Sequence, residues 1–264
     1  MSLGQTQTAS GPEKTEPLLH ASIYDELRRR MITGKIVPGV GLSTRGLAQE
    51  LGVSQMPVRD ALSRLAAEGA IAIRSKRRIE VPAMSQSRFT DLLNCRLLLE
   101  PEAAVQALAH IDLARLKRLR QIDADLDQAM ERGDVIGYME CNYAFHFNIY
   151  AANDRPTLNR LIETLWLQFG PFMRVVYGRY GTAKLVDQHR LALDAIEAGD
   201  ADGLRRAIAS DIADGMGLIG RSRLADEWAA SRSGAMAADG GTSAGFGYSQ
   251  GLEPDAFARN GCGS

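Results

Sequence analysis

The chain has 264 residues, and its 31 Lys and Arg nearly balance its 32 Asp and Glu, so the net charge of -1 predicts no particular partner. Hydrophobic residues make up 45% of the chain, enough to bury a core; this excludes an entirely disordered chain, and the length suits one large or two modest domains. An apolar run of about 18 residues and a signal-peptide pattern are both absent, so we expect a cytoplasmic protein without a membrane partner.

The charge is unevenly distributed along the chain. Residues 18–84 hold 11 Lys and Arg against 6 Asp and Glu, whereas residues 85–230 hold 17 against 21. A basic end is typical of contact with nucleic acid, although a few charges can also form an ordinary solvated surface. Residues 1–17 and 231–264 are polar or rich in Gly, Ala and Ser, so we expect disordered tails on either side of two domains, 18–84 and 85–230.

Three segments of the N-terminal domain have apolar residues at helical spacing and therefore predict three helices. The apolar positions of the first helix are Ile23, Leu27, Met31 and Ile32. The second and third helices are bounded by cap-type residues and glycines, namely Ser43 or Thr44, Gly52, Ser54 and Gly69. Two helices joined by a tight turn that contains glycine predict a helix-turn-helix.

A basic hairpin follows the third helix. The apolar period changes from 3.6 to 2 at Ile71, Ile73, Ile79 and Val81. Between these positions lie Lys76, Arg77 and Arg78, which form a basic tip. The pattern predicts a winged helix-turn-helix, whose third helix fits the major groove of DNA while the wing contacts phosphates or the minor groove.

The third helix carries polar residues opposite its apolar face. Arg59 can form a bidentate contact with guanine, and Gln55 can recognise adenine. Alternatively, Arg45 and Arg59 form surface ion pairs with acidic neighbours, namely Glu50, Asp60 or Glu68. The predicted DNA contacts are Arg45, Ser54, Gln55, Met56, Arg59, Lys76, Arg77 and Arg78.

Three segments of this domain resemble the DNA-binding domain of GntR-family bacterial transcription regulators. They are Ile-x-Gly-x-x-x-Pro-Gly at 32–39, Leu-Ala-x-x-Leu-Gly-Val-Ser at 47–54, and Pro-Val-Arg-x-Ala-Leu-x-x-Leu-x-x-x-Gly at 57–69. The resemblance implies DNA contacts by Arg45, Ser54 and Arg59. Gln55 and Met56 replace the family's usual Arg and Thr, so the resemblance implies an altered operator sequence. Arg78 replaces a common Gly, which favours a wing that contacts phosphates.

The sequence pattern of the C-terminal domain predicts six or seven antiparallel helices joined by short loops. The whole chain is therefore expected to be mainly α. Gly170-Pro171 is expected to kink or break one long helix. Asn142 and His146 lie four residues apart and share a helix face. With His189 and Asp211 they form a set of nitrogen and oxygen donors that a helical bundle can bring together around a metal. Alternatively, His146 is an ordinary core histidine.

The C-terminal domain resembles the helical ligand-sensing (FCD) domain of the FadR-like branch of the same family. The resemblance lies in Asp91-x-x-x-x-Arg96-x-x-x-Glu100-Pro101, Asn142-x-Ala144-Phe145-His146 and His189 to Asp200. It implies a divalent metal (Zn, Ni or Mn) held by one Asp or Asn and three His, with an organic acid bound against the metal and an Arg. Asn142, His146 and His189 match this set, whereas Asp211 stands where the last His is expected.

The resemblance further implies an effector site formed by Arg96, Asn142, His146 and His189. Alternatively, Arg96 forms an ion pair with Glu100, four residues later on the same helix. We therefore expect a transcription regulator that binds a near-palindromic DNA operator as a homodimer and senses a small organic acid. Two alternatives are a metal-dependent hydrolase in the helical domain and a dimer that binds DNA constitutively without an effector.

Overall fold

The computed structural model describes residues 16–75, 78–180 and 187–221. The N-terminal part of these residues forms three helices and a hairpin: α1 Glu16–Ile32, α2 Thr44–Leu51, α3 Gln55–Ala67, β1 Ala72–Ser75 and β2 Arg78–Glu80. We call this part the head. The C-terminal part forms six α-helices, α4 Gln86–Ala107, α5 Leu113–Glu131, α6 Val135–Tyr150, α7 Pro156–Tyr180, α8 Gln188–Ala198 and α9 Ala201–Arg221, with a 3₁₀ turn Leu108–His110 after α4. The predicted mainly α class is confirmed.

The head has the predicted helix-turn-helix, and local chemistry sets its boundaries. Of the two candidate caps for α2, Ser43 is the one used, because its side chain accepts a hydrogen bond from the backbone N–H of Gly46. Gly52 ends α2 in the left-handed conformation, with φ of 66°. Ser54 precedes α3 as predicted, but its side chain forms no capping hydrogen bond. Apolar residues of α1 and α3, including Leu27 and Leu62, fill the core between them.

The hairpin is antiparallel, with Ile73 opposite Ile79, and Leu42 adds one bridge to Ile79. Ile79 is buried, whereas Ile73 is exposed, so the two apolar residues of this pair do not both contribute to the core. Lys76 and Arg77 lie outside the described residues, and only the backbone of Arg78 is described. The predicted tails 1–17 and 231–264 also lie outside them, except that α1 begins at Glu16.

The helical domain is a bundle whose helices begin at acidic or hydroxyl caps. Asp112, Asp134 and Asp187 each accept a hydrogen bond from a backbone N–H of the following helix, and Ser85 does the same for α4. The expected break at Gly170-Pro171 is wrong, because α7 continues through both residues to Tyr180. Buried side chains on both sides of this position, among them Phe169, Phe172 and Met173, hold the helix against its neighbours. Within the described ranges, no helix is long and apolar enough to cross a bilayer.

The head and the bundle meet where α1 packs against α7. A Cβ atom at Gly170 would lie 2.5 Å from the carbonyl oxygen of Ile32 and 2.6 Å from that of Met31, so only glycine allows this approach. One turn further along α7, the Arg174 guanidinium donates a 2.9 Å hydrogen bond to the carbonyl oxygen of Gly34. The end of α1 is therefore seated directly on α7.

Ion pairs surround this junction. Arg28 of α1 pairs with Glu163 of α7 at 2.8 Å, and Arg160 of α7 pairs at 2.7 Å with Glu68, which directly follows α3. The hydroxyl of Tyr24 also donates to Glu68. Since these side chains are partly buried, the junction is polar at its rim and close-packed at its centre.

Candidate functional site

The outer face of α3 carries the predicted DNA contacts. Ser54, Gln55, Met56 and Arg59 are all exposed, with Met56 at 68%, whereas Val58, Leu62 and Leu65 on the opposite face are buried. An exposed first turn with mixed polar and apolar side chains matches what a recognition helix presents to base edges. Arg45, at the start of α2, is also exposed. The structure thus brings these five residues to the outside of the head.

Two of the three acidic neighbours proposed to pair with Arg45 and Arg59 have other partners. Glu50 accepts from Arg30 of α1 at 2.6 Å. Glu68 is held by Tyr24 and Arg160 at the junction with the bundle. One contact lies within the head and the other joins the head to the bundle, and both weaken the alternative that the exposed arginines serve only as surface ion pairs.

Three predicted metal ligands meet inside the bundle. His146 of α6, His189 of α8 and Asp211 of α9 offer donor atoms that all lie within 4.8 Å of one another. His146 Nε2 lies 3.0 Å from one carboxylate oxygen of Asp211, and His189 Nε2 lies 3.9 Å from the other. We call these three residues the metal triad. They lie on three different helices, and α6 is separated from the consecutive helices α8 and α9 by the whole of α7, so the bundle itself creates the site.

Neighbouring side chains orient both imidazole rings. His146 Nδ1 lies 3.0 Å from the Tyr150 hydroxyl, and His189 Nδ1 lies 3.1 Å from an Asp123 carboxylate oxygen. Phe145 stacks on the His189 ring at 3.9 Å between centroids. Hydrogen bonds to the outer nitrogen are how metal-binding histidines are usually held, and they leave Nε2 directed inward.

The donor set fits a divalent transition metal. His189 is only 6% exposed, and its Nε2 has no hydrogen-bond partner among the described residues, which is costly for a buried polar atom. Two imidazole nitrogens and a carboxylate are ligands that Zn, Ni and Mn accept. Asn142, one turn before His146, is buried and lines a small cavity together with Asp211. Asn142, the fourth predicted ligand, therefore lies in the lining of the same small cavity as Asp211, and its role as a ligand stays a prediction.

Electrostatics keep the Asp211 carboxylate ionised. Burial alone would raise its pKa, but the hydrogen bond from His146 and the charges around it lower the pKa of Asp211 to about 2. Burial likewise opposes protonation of His189, yet the hydrogen bond to Asp123 and the charge of Asp211 raise the pKa of His189 overall. An anionic oxygen therefore faces both rings at neutral pH, as a cation site requires.

Arg96 is placed near the triad but is occupied by its own helix. Its Nε donates to Glu100 at 2.5 Å and its Nη2 donates to the second Glu100 oxygen at 3.3 Å, so the intrahelical ion pair is formed. Glu100 is fully buried and also accepts from the Tyr150 hydroxyl at 2.9 Å and the Trp166 indole at 3.1 Å. Its carboxylate takes the position that an effector carboxylate on Arg96 would need.

Two cavities flank Asp211, and they differ in size and charge. One, lined by Arg96, Asn142, Trp166 and Tyr177 among others, measures about 10 Å³. The other measures about 130 Å³, and we call it the acidic cavity. Its main lining residues are Asp123, Asp127, Asp187, Asp211, Asp214, His189, Tyr138 and Tyr177.

Sequence reasoning missed the acidic wall of this cavity. Asp123 and Asp127 lie four residues apart on α5, and Asp211 and Asp214 lie three apart on α9, which places each pair on one helix face. This spacing was a usable signal. Burial, and then the charges of Asp123 and Asp187, raise the pKa of Asp127, which indicates that negative charge accumulates here.

Comparisons with known proteins agree with the family resemblance of both the head and the helical domain. Residues 19–81 match the family described as bacterial regulatory proteins, gntR family, and residues 91–214 match the FCD domain family. The HTH-type transcriptional regulator McbR of Escherichia coli is 30% identical over 72% of this chain and 88% of its own length. The gluconate operon transcriptional repressor of Bacillus subtilis is 27% identical over 66% of this chain and 74% of its own length.

A solved structure, that of Escherichia coli McbR/YncC, superimposes with a TM-score of 0.73 at 28% identity. The superposition covers 77% of this chain and 97% of that one. The relatives are transcription regulators and not enzymes, which removes the hydrolase alternative.

Proposed function

Because this chain belongs to the GntR family of bacterial transcription regulators and carries an FCD domain, we propose that it binds a near-palindromic operator as a homodimer and releases or engages it in response to a small organic acid. The observation that carries the proposal is the outward face of α3, with Gln55 and Arg59 exposed beside Met56. A single small head buries little surface on DNA, so two heads on paired half-sites are the expected binding unit.

Replacing Arg59 by alanine is expected to weaken operator binding by roughly 10-fold or more, because one contact to a base or phosphate is lost. The measurement is a gel shift at fixed salt, using genomic fragments selected by the wild-type chain. The matched control is Arg132→Ala, which removes the same charge from an exposed position at the end of α5. Equal affinity of wild type and Arg59→Ala would contradict the assignment of α3 as the recognition helix.

We place the effector and its metal in the helical domain. His146, His189 and Asp211 would hold the metal, with Asn142 alongside. A divalent metal bound there would supply a Lewis-acidic position for an oxygen of the effector. The chain's own part is to fix the ligand geometry through Tyr150 and Asp123, which hold the outer nitrogens of the two rings.

Removal of the metal is expected to destabilise the chain, since a ligand that binds only the folded state adds about 2.7 kcal/mol at 100 times its dissociation constant. Treatment with EDTA should lower the melting temperature, and Zn, Ni or Mn should restore it with one ion per chain by elemental analysis. His189→Ala should abolish both effects. His110→Ala, at an exposed site after α4, is the control and should behave like wild type. An EDTA-insensitive, metal-free wild type would refute the metal site.

Helix α7 offers a physical route between the two sites. It contributes Trp166 and Tyr177 to the cavities around Asp211, and it holds the head through Glu163 and through Gly170, which also lines the small cavity. If an effector binds more tightly when α7 is in one of two positions, it favours that position by the difference in binding free energy. Because α1 packs on α7, the same shift changes the placement of the head. This linkage supports regulation by an effector over constitutive DNA binding.

A further inference from the structure

The effector site proposed above has only one cavity with room for a molecule, among the residues that the structure describes. The cavity beside Arg96 measures about 10 Å³, at the lower limit for a single water and too small for an organic acid. The acidic cavity measures about 130 Å³ and reaches His189 and Asp211 of the metal triad. An effector that contacts the triad without rebuilding the Arg96–Glu100 ion pair must therefore occupy the acidic cavity.

This cavity is negatively charged. Five aspartates line it, and neither Lys nor Arg occurs among its described lining residues. Arg190 lies 3.7 Å from Asp187 but is exposed to solvent on α8, where water screens its charge. A carboxylic acid with no positive group would bring a further negative charge to this wall.

The five carboxylates are not equally satisfied. Asp211 and Asp123 are hydrogen-bonded to the two histidines. Among the described residues, the partner of Asp214 is the neutral amide of Gln188, which donates to it at 3.1 Å. Asp127 has neither a hydrogen bond nor an ion pair in the described part of the chain. Among the described residues, Asp127 and Asp214 are therefore the carboxylates of this wall that have no Lys or Arg partner, and the only positive charge that acts on Asp127 there is that of His189.

A second feature shows that this wall belongs to a ligand site. His189 and Asp211 of the metal triad both line the cavity. The Nε2 atom of His189 is buried, lacks a hydrogen-bond partner among the described residues and lies 3.9 Å from Asp211. The cavity is thus lined both by two residues of the metal triad and by two carboxylates that pair with no Lys or Arg of the described residues. A bound molecule needs an acidic group beside the triad and a cationic group beside those carboxylates.

We propose, on the basis of the function proposed above, that the effector is a small zwitterion of the amino-acid type. Its carboxylate faces the metal triad, and its protonated amine donates hydrogen bonds to Asp127 and Asp214. Charge-assisted hydrogen bonds between an ammonium and a carboxylate are stronger than neutral ones, so the amine sets the specificity. A hydroxy acid of the same shape leaves both aspartates without a cation.

The experiment compares matched compounds on the full-length, zinc-loaded chain by isothermal titration calorimetry. The pairs are alanine with lactate, aspartate with malate, glutamate with 2-hydroxyglutarate, and 4-aminobutyrate with 4-hydroxybutyrate. Within each pair, only an ammonium and a hydroxyl differ. We expect at least one amine to bind at least 10-fold more tightly than its hydroxy partner and to change operator affinity in a gel shift.

Two double variants make the test specific. Asp127→Asn with Asp214→Asn should remove the preference for the amine while one zinc per chain is retained. Asp125→Asn with Asp202→Asn removes the same charge from the same two helices, away from the cavity, and should leave the preference intact. A preference that survives the first double variant would refute the proposal.

Three other outcomes would overturn the zwitterion proposal. Two are tighter binding of the hydroxy acids and no binding by any amine. The third is a second divalent cation that fills the acidic cavity and is lost in the Asp127→Asn, Asp214→Asn double variant. If hydroxy acids alone bind and shift operator affinity, the proposed regulator stands and only this inference fails. If operator binding itself is absent, the proposed function fails independently of the calorimetry.

Discussion

Replacing Arg96 by methionine is expected to lower the free energy of unfolding by about 3–5 kcal/mol, the usual cost of removing one partner of a buried ion pair. Methionine keeps the unbranched length of the side chain, so the main loss is the cation. Glu100 is completely buried and would keep only the hydrogen bonds from Tyr150 and Trp166. Urea denaturation followed by circular dichroism measures the change.

A second substitution should restore the stability lost in Arg96→Met, and an exposed ion pair provides the control. Adding Glu100→Gln to Arg96→Met removes the stranded charge but keeps an oxygen that can accept from Tyr150 and Trp166, so much of the lost stability should return. Arg205→Met breaks the exposed pair with Glu102, and should change stability by less than about 1 kcal/mol. A loss from Arg96→Met as small as that of Arg205→Met would show that Glu100 is not held as an anion.

Replacing Gly170 by valine is expected to lower the free energy of unfolding by about 2–3 kcal/mol, in the range typical of overpacking. The new Cβ would lie 2.5–2.8 Å from backbone atoms of Met31 and Ile32, and backbone cannot rotate away as a side chain does. The head would have to move off α7. Thermal denaturation measures the loss of stability, and limited proteolysis between the head and α4 detects the displacement of the head from α7.

Gly41→Val is the matched control, because a Cβ at Gly41 meets no atom within 4 Å. It should leave stability and protease resistance near wild type. Gly170→Val should also reduce the change in operator affinity that an effector produces, since α1 would no longer be seated on the helix that lines the cavity. A fully stable Gly170→Val chain would contradict the close approach of α1 and α7.

Much of the head could be predicted from sequence because its signals are local. Caps, glycines and a 3.6-residue period determine α2 and α3, and the face that buries Val58 and Leu62 necessarily exposes Arg59. The sequence also singled out the three residues of the metal triad as possible donors, and the family resemblance pointed to the same set, although the three residues lie on three different helices. The spacing of single residues does not show which helices converge.

The parts that escaped prediction depend on contacts across the fold. The sequence allows Arg96 either to clamp a ligand or to pair with Glu100, and only the burial of Glu100 beside Trp166 distinguishes them. Gly170-Pro171 has the local signature of a helix break, yet packing of α7 on α1 overrides that signature. The acidic cavity gathers aspartates from α5, α8 and α9, so its charge is a property of the assembled bundle.

The seating of the head on α7 constrains how this protein can evolve. A substitution on α7 that reshapes the acidic cavity also disturbs the surface on which α1 packs. A change of effector is therefore harder to reach through substitutions on α7. Aspartates on α5, α8 and α9 can be exchanged with less effect on that surface, because α1 rests on α7. We therefore expect paralogues that respond to different metabolites to diverge first on those three helices, while the glycine at the crossing is retained.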